Sequence, residues 1–437
     1  MANSSNWSFH CYYTDAQYGL QSKLDLSSAQ TSFLKLLRKA SRMRIREAFS
    51  EAQSVFKDVK MSTNDDLSRE SLKNTIKAKR SFQHVDGQIL STLISLAQSM
   101  DEEQRQAFLK IKPKFRTQGS FEYKTLNVPY CKPPQEMDID DGVYFPMQMF
   151  DDVPALAHRL MIALVDSALQ SLVSDNCGWK FDDSKPTCAR IRVAEKNVHL
   201  DVPMYAIPEE KFKQILESAG FENYGVSQES IKSFGDEDII KLDKDSVYLA
   251  RRDKDKWQKS DPQVIQQWFT DSVSQVGEHL RGACRLLKAW RDVHWISGGG
   301  PSSIALMKCV VDTVGSSELD GKDLDLVMHE VVKALPIQLV NGVESPDPSD
   351  DRPLFPSRNE HDEYHQKIVD AASMLSEKLK TASAVASKTE AGLLLKELFG
   401  DRGVDDELIK PIITAHVYST PATKSNPAII KQTMKSG

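Results

Sequence analysis

The chain has 437 residues, 40% hydrophobic and 27% charged, which allows two or three cores of ordinary soluble composition. Its formal net charge of −6 argues against a protein that coats nucleic acid, although a local basic surface fits within that total. There is no run of about 18 apolar residues and no basic segment leading into an apolar stretch near the start, so membrane insertion is not expected and a cytoplasmic location is. Six scattered cysteines, with no CxxC pair and no Cys/His cluster, read as free thiols.

In chain order, Ser27-Ser28 precedes a helical pattern from about 29 to 59, with Phe33, Leu34, Leu37, Ala40, Ile45, Ala48 and Phe49 on its apolar side. Lys35, Lys39, Arg42 and Arg46 form a basic stripe on the same helix, a solvated face or an anion-binding one. Polar residues 61–68 suggest a break, and a second helical pattern runs from about 89 to 109.

The stretch from Gln118 to Tyr144 holds the chemistry. Read as a strand, EMDIDD places Met137 and Ile139 on one face and Asp138 and Asp140 on the other. Two such charges about 4 Å apart at an effective dielectric of about 20 repel by about 4 kcal/mol, which a hard divalent ion such as magnesium would relieve. Upstream, Gln118-Gly119-Ser120 offers backbone N–H groups and a hydroxyl with little bulk, suited to a triphosphate. Alone, each motif is equally a plain turn or an exposed strand edge.

Residues 154–173 repeat apolar positions at helical spacing, as a core helix does. Two strand-like runs follow, from Cys188 and from Val198. If Ala194 pairs with Asn197 across a short turn, Arg192 faces His199 and Arg190 faces a third carboxylate, Asp201. Residues 218–245 turn polar, which suggests a long loop near a lobe boundary. From Pro262 the pattern is helical, with Leu280, Ala283, Cys284, Leu287 and Trp290 on one side. It breaks at Gly298-Gly299-Gly300-Pro301, where Ser302-Ser303 caps a new apolar helix whose start could contact an anion. A Pro- and Asp-rich surface loop from Asn341 precedes helices over about 365–387 and 390–399, the latter closed by Gly400. The last twenty or so residues read as a flexible tail.

Seven motifs in order, QGSFEYKTLN, EMDIDDGVYFPM, NVHLDVPMYAIP, KSDPQ, CRLLKAWRD, GGPSSIAL and GVESPD, resemble the bacterial CD-NTases, the cGAS/DncV-like nucleotidyltransferases. The resemblance implies an α+β, two-lobed nucleotidyltransferase fold of the polymerase-beta-like, cGAS/OAS-like kind, with a mixed sheet, flanking helices and a mainly helical second lobe. The expected division is 1–225 for the N-terminal helix and core lobe, 226–416 for the helical lobe and 417–437 for the tail.

The implied activity is synthesis of 3′,3′-cyclic GMP-AMP from ATP and GTP, a second messenger of anti-phage (CBASS) defence. The alternatives are another cyclic or linear oligonucleotide, or an inactive nucleotide sensor, which three retained carboxylates disfavour. No DNA requirement is implied, since the His/Cys/Cys zinc insertion of animal DNA sensors is missing. By the same resemblance Asp138, Asp140 and Asp201 hold two Mg2+ ions, and Gln118, Gly119, Ser120 and Tyr123 contact the donor nucleotide. Arg190 and Lys288 would contact phosphate, and Ser260, Ser303 and Asp350 nucleotide. Arg42 and Arg46 would belong to a regulatory pocket for a folate-like molecule. Lys114-Phe115-Arg116 stands there without the family's tryptophan, which implies weaker inhibition. Gly437 would be joined to target amines by a partner with ubiquitin-transfer-like domains, and the product would activate an effector such as a phospholipase.

Overall fold

Period-two alternation in residues 137–145 organises the sheet, and the computed structural model shows what lies on each face. It describes residues 5–59, 66–146, 154–208, 246–253, 256–316, 321–348, 350, 352–356 and 362–412. In chain order its strands are β1 (Trp7–Ser8), β2 (Lys114–Gln118), β3 (Met137–Pro146), β4 (Trp179–Asp182), β5 (Ala189–Val193), β6 (Val198–Val202), β7 (Met204–Ile207), β8 (Tyr248–Arg251), β9 (Lys256–Lys259) and β10 (Lys410–Pro411). Apart from the small β1–β10 pair, they form one mixed sheet in the order β4-β5-β6-β3-β7-β8-β9, with β2 also on β3.

The register along β3 is continuous: Met137–Asp140 pairs in parallel with Val198–Asp201, and Val143–Pro146 in parallel with Met204–Ile207. β6 and β7 are therefore one strand interrupted at Pro203, which has no N–H to give but accepts from Val143 N at 2.9 Å. The antiparallel β2 lies along the other edge, pairing Gln118 with Asp140. Parallel neighbours need a crossover, supplied here by a helix and the β4–β5 strands.

The first helices are α1 (His10–Thr14), α2 (Leu20–Leu24), α3 (Ser28–Phe56), α4 (Asp66–Lys77), α5 (Gly87–Ser99), α6 (Glu102–Lys110), α7 (Gly119–Glu122) and α8 (Pro154–Ser174). Ser27 and Gln30 cap α3 reciprocally, and its buried Leu34, Leu37, Ile45, Ala48, Phe49, Ala52 and Phe56 meet Met137, Ile139, Val143 and Phe145 in one core with α8. The single helical pattern expected over 89–109 is instead two helices, because Asp101 forms a new capping box with Gln104. α4 begins inside the expected break. The core helix α8 is the one described helix apolar enough to cross a membrane, and 72% of that window is buried inside the protein.

The second lobe consists of α9 (Pro262–Val276), α10 (His279–His294), α11 (Ser303–Gly315), α12 (Leu324–Asn341), α13 (Glu363–Ala384) and α14 (Lys388–Phe399). Its core includes Phe9, Tyr12, Tyr13, Leu20 and Leu24 beside Leu287, Trp290, Val331 and Leu395, so the chain's first described helices pack with its last. The expected boundary at 225/226 and the tail 417–437 lie outside the described residues.

Candidate active site

Because side chains alternate along β3, Asp138 and Asp140 share one face of the sheet while Asp141 turns to α3 on the other. The parallel register sets Asp138 beside His199 and Asp140 beside Asp201. The hairpin brings Arg190 opposite Asp201 and Arg192 opposite His199, the pairing expected from a turn closed between Ala194 and Asn197. Asn197 takes the left-handed conformation that the turn needs, with φ 50°.

The Gly-Ser turn lies directly against these carboxylates. Gly119 has φ +65°, and a Cβ there would lie 2.0 Å from Asp140 Oδ2. Gln118 is braced from below: its Nε2 donates to Tyr144 Oη at 2.8 Å, and Tyr205 Oη donates to its Oε1 at 3.2 Å. Ser120 is the second residue of the short α7, its carbonyl accepting from Thr125 N at 2.9 Å. Tyr123 is buried against Phe269, and burial followed by Asp140 pushes its hydroxyl pKa up.

Charge is concentrated here. Burial, then Asp138 and Asp201, raise the Asp140 pKa well above the usual carboxylate range. Asp201 is 1% exposed. Its burial favours the neutral form, but hydrogen bonds from Arg190 and the charges of Lys185 and His199 overcome this and hold it low. Arg190 Nε and Nη2 donate to Asp201 at 2.5 and 2.8 Å, and Lys185 Nζ at 2.6 Å. Burial works against a charged His199, yet Asp138 and Glu136 raise its pKa to about 9.

Among the described residues, ligand atoms of Asp138, His199 and Asp201 lie within 4.8 Å of one another, a cluster able to hold a divalent metal. Asp138 Oδ1 is buried without a hydrogen bond, an acceptor left for a cation. The carboxylate donors suit a hard ion such as magnesium. Asp140 stands next to this cluster with Oδ2 over Gly119.

The remaining expected residues are more dispersed in their contacts. Lys288 reaches across the lobes to donate to Thr125 O at 2.7 Å, and burial, then Arg291, lowers its pKa to about 8. Ser303 Oγ accepts from Arg291 Nη1 at 2.8 Å in the first turn of α11, and Ser302 is the cap. Ser260 N donates to Val247 O, and Asp350 is forked by its near neighbour Arg352. On the far side of β3, Arg42 is bidentate to Asp141 at 2.7 and 2.6 Å, and Arg46 lies over the Phe115 ring at 4.8 Å. Gly437 lies outside the described residues. Glu136 and His199 lie inside the motifs EMDIDDGVYFPM and NVHLDVPMYAIP, which by themselves give neither a role at the site, and Lys185 lies outside every motif; for His199 the available signal is its period-two phase with Asp201.

A mixed sheet that presents two aspartates of one strand beside a third on its parallel neighbour, with a helical lobe following, is the fold of a nucleotidyltransferase. Residues 113–205 match the family model described as the DncV-like cyclic GMP-AMP synthase nucleotidyltransferase domain, and 277–412 the cyclic GMP-AMP synthase C-terminal domain. A Vibrio cholerae protein named cyclic GMP-AMP synthase is 41% identical, with 99% of each chain covered. An Escherichia coli protein of the same name is 38% identical over 99% of this chain and 100% of the relative. The crystal structure of Vibrio cholerae DncV cyclic AMP-GMP synthase in complex with the linear intermediate 5′ pppA(3′,5′)pG superposes with a TM-score of 0.81 at 40% identity, covering 94% of this chain and 100% of that one. Another DncV structure, a mutant in complex with ATP, GTP and 5MTHFGLU2, has a TM-score of 0.81 at 41% identity over 93% of this chain and 99% of that one. The chain belongs to the DncV-like cyclic GMP-AMP synthase family.

Proposed function

We propose that this enzyme makes 3′,3′-cyclic GMP-AMP from ATP and GTP by two successive nucleotidyl transfers. The observation that carries the reading is the parallel register that sets Asp140 beside Asp201 at the foot of the Gly119 turn. Asp138, Asp140 and Asp201 would hold two Mg2+ ions, which when bound supply charge neutralisation for the triphosphate and activation of the acceptor 3′-hydroxyl. Asp201, kept ionised by Arg190 and Lys185, is suited to ligate the ion that activates that hydroxyl and so to help remove its proton. Gln118, Gly119, Ser120 and Tyr123 would seat the donor, Arg190 and Lys288 phosphate, and Ser260, Ser303 and Asp350 nucleotide.

The same reading places the product in CBASS anti-phage defence in the cytoplasm, upstream of an effector such as a phospholipase. It makes Gly437 the conjugation point for a ubiquitin-transfer-like partner. Arg42 and Arg46 would form a folate-like regulatory site. Phe115 is already covered there by both guanidinium groups, which is consistent with weaker inhibition than in relatives carrying tryptophan beside the turn. The test is to incubate purified protein with magnesium and each nucleotide pair and to identify the product by mass and nuclease sensitivity. A cyclic GMP-AMP product is expected only from ATP with GTP; a different oligonucleotide, or none, refutes the proposal.

A further inference from the structure

His199 precedes Asp201 by two residues on β6 and so shares its face, opposite Asp138 on β3 and Arg192 on β5. The ring is held from both ends. Nδ1 lies 2.9 Å from Glu136 Oε2, and Nε2 lies 3.1 Å from Asp138 Oδ1. Glu136 is fixed in turn, because Arg192 Nη1 donates to its Oε2 at 2.6 Å while Arg192 Nε donates to Asp182 Oδ2 at 2.9 Å. A line of alternating charge thus runs from β4 through Arg192, Glu136 and His199 to Asp138. A carboxylate oxygen carries two lone pairs, so the His199 ring, 3.1 Å from Asp138 Oδ1, can steer this carboxylate and still leave Oδ1 an acceptor for a cation.

We propose that His199, braced by Glu136, is the positioning residue of Asp138 and fixes that carboxylate for the divalent ion. The inference rests on the reading of the site as metal-dependent. A hard ion is bound through oxygen, so an imidazole beside it acts by holding the ligand rather than replacing it. His199 lies against Asp138 on the parallel neighbour, whereas Lys185 and Arg190, the other cations that act on Asp138, are bound to Asp201, and Asp140 repels it. Partners that orient a metal ligand typically affect metal affinity by about 10–100-fold.

The experiment measures Mn2+ binding by electron paramagnetic resonance, with a non-hydrolysable ATP analogue, for the full-length protein and for His199→Ala, His199→Gln and Glu136→Gln. Melting temperatures are taken without metal. The Mn2+ dissociation constant should rise about 10–100-fold in His199→Ala, and less in Glu136→Gln, which keeps the ring but loosens it. His199→Gln should recover part of the loss, because its amide can still present an N–H to Asp138. Unchanged affinity in His199→Ala with an unaltered melting temperature overturns the proposal. If that variant does not fold, unchanged affinity in Glu136→Gln does the same. Nitrogen hyperfine coupling to Mn2+ in the unaltered protein also overturns it, by making His199 a ligand. A protein that takes up no Mn2+ even with nucleotide refutes the metal-dependent reading as well.

Discussion

Replacing Gly119 with alanine tests the contact between the turn and the aspartate pair. Two costs follow from the geometry. A non-glycine residue at φ +65° costs about 1–2 kcal/mol in the left-handed region. The new Cβ, 2.0 Å from Asp140 Oδ2, must also gain about 1.4 Å to reach ordinary contact at 3.4 Å. The side chain of Asp140 moves more easily than the backbone that β2 and β3 fix, so the carboxylate swings and the donor seat tilts with it. A displacement of about 1 Å at a reacting group costs about 100-fold in rate. Gly119→Ala is therefore expected to lose only a few degrees in melting temperature yet about 100-fold in turnover, read by chromatographic quantification of the dinucleotide. Gly87→Ala, where a Cβ meets nothing within 4 Å, is the control and should leave both unchanged. Turnover in Gly119→Ala within about threefold of the unaltered protein would refute the reasoning.

Asp138→Asn combined with Asp140→Asn should abolish product while circular dichroism and melting show an intact fold; normal yield would contradict the assigned roles. Arg252→Met removes the fork on Asp166, whose side chain is 3% exposed, and should cost about 3–5 kcal/mol in urea unfolding. Burial already raises the Asp166 pKa despite Arg252, so protonation relieves the lone carboxyl and the deficit should shrink as pH falls towards about 4. Burial, opposed by Phe9 N–H, raises the Asp325 pKa to about 7. The folded state then holds a proton that the unfolded chain loses from about pH 4, so stability falls as pH rises from about 4 to about 7, by up to about 4 kcal/mol. Asp325→Asn should remove that fall, raising the melting temperature near pH 8 and leaving it unchanged near pH 4. Deleting Gly437 should abolish higher-mass conjugates in cells that contain the partner, as blotting would show, while the purified enzyme keeps its rate.

The strands at the site are legible in the sequence because β3 and β6 each have one face toward a core, which imprints alternation on the residues. The hairpin register follows from the same rule, since a short turn closed between Ala194 and Asn197 is enough to set Arg190 opposite Asp201. Less can be read where partners are distant in sequence. Phe9, Tyr12 and Tyr13 have no local pattern that points to helices some 300 residues later, and only the packed core shows their destination. α12 is also not marked by its sequence, because Pro336 within it weakens the helical signal. At the site, spacing identifies Asp138 and Asp140, but the support of Asp138 by His199 depends on cross-strand contacts.

The pairing of Trp7–Ser8 with Lys410–Pro411 bears on synthesis. Residues 28–259 hold every strand of the large sheet and can assemble while the remainder is still being translated, since domains generally fold as units from the N-terminal side. The helical lobe follows another order. Its first pieces emerge from the ribosome before the sheet, but their partners emerge last, so Phe9, Tyr12 and Tyr13 remain solvated through most of translation. Closure of the lobe waits for residues near 410. A transcript truncated before that point would release a sheet with its carboxylates in register and no completed lobe to cover them.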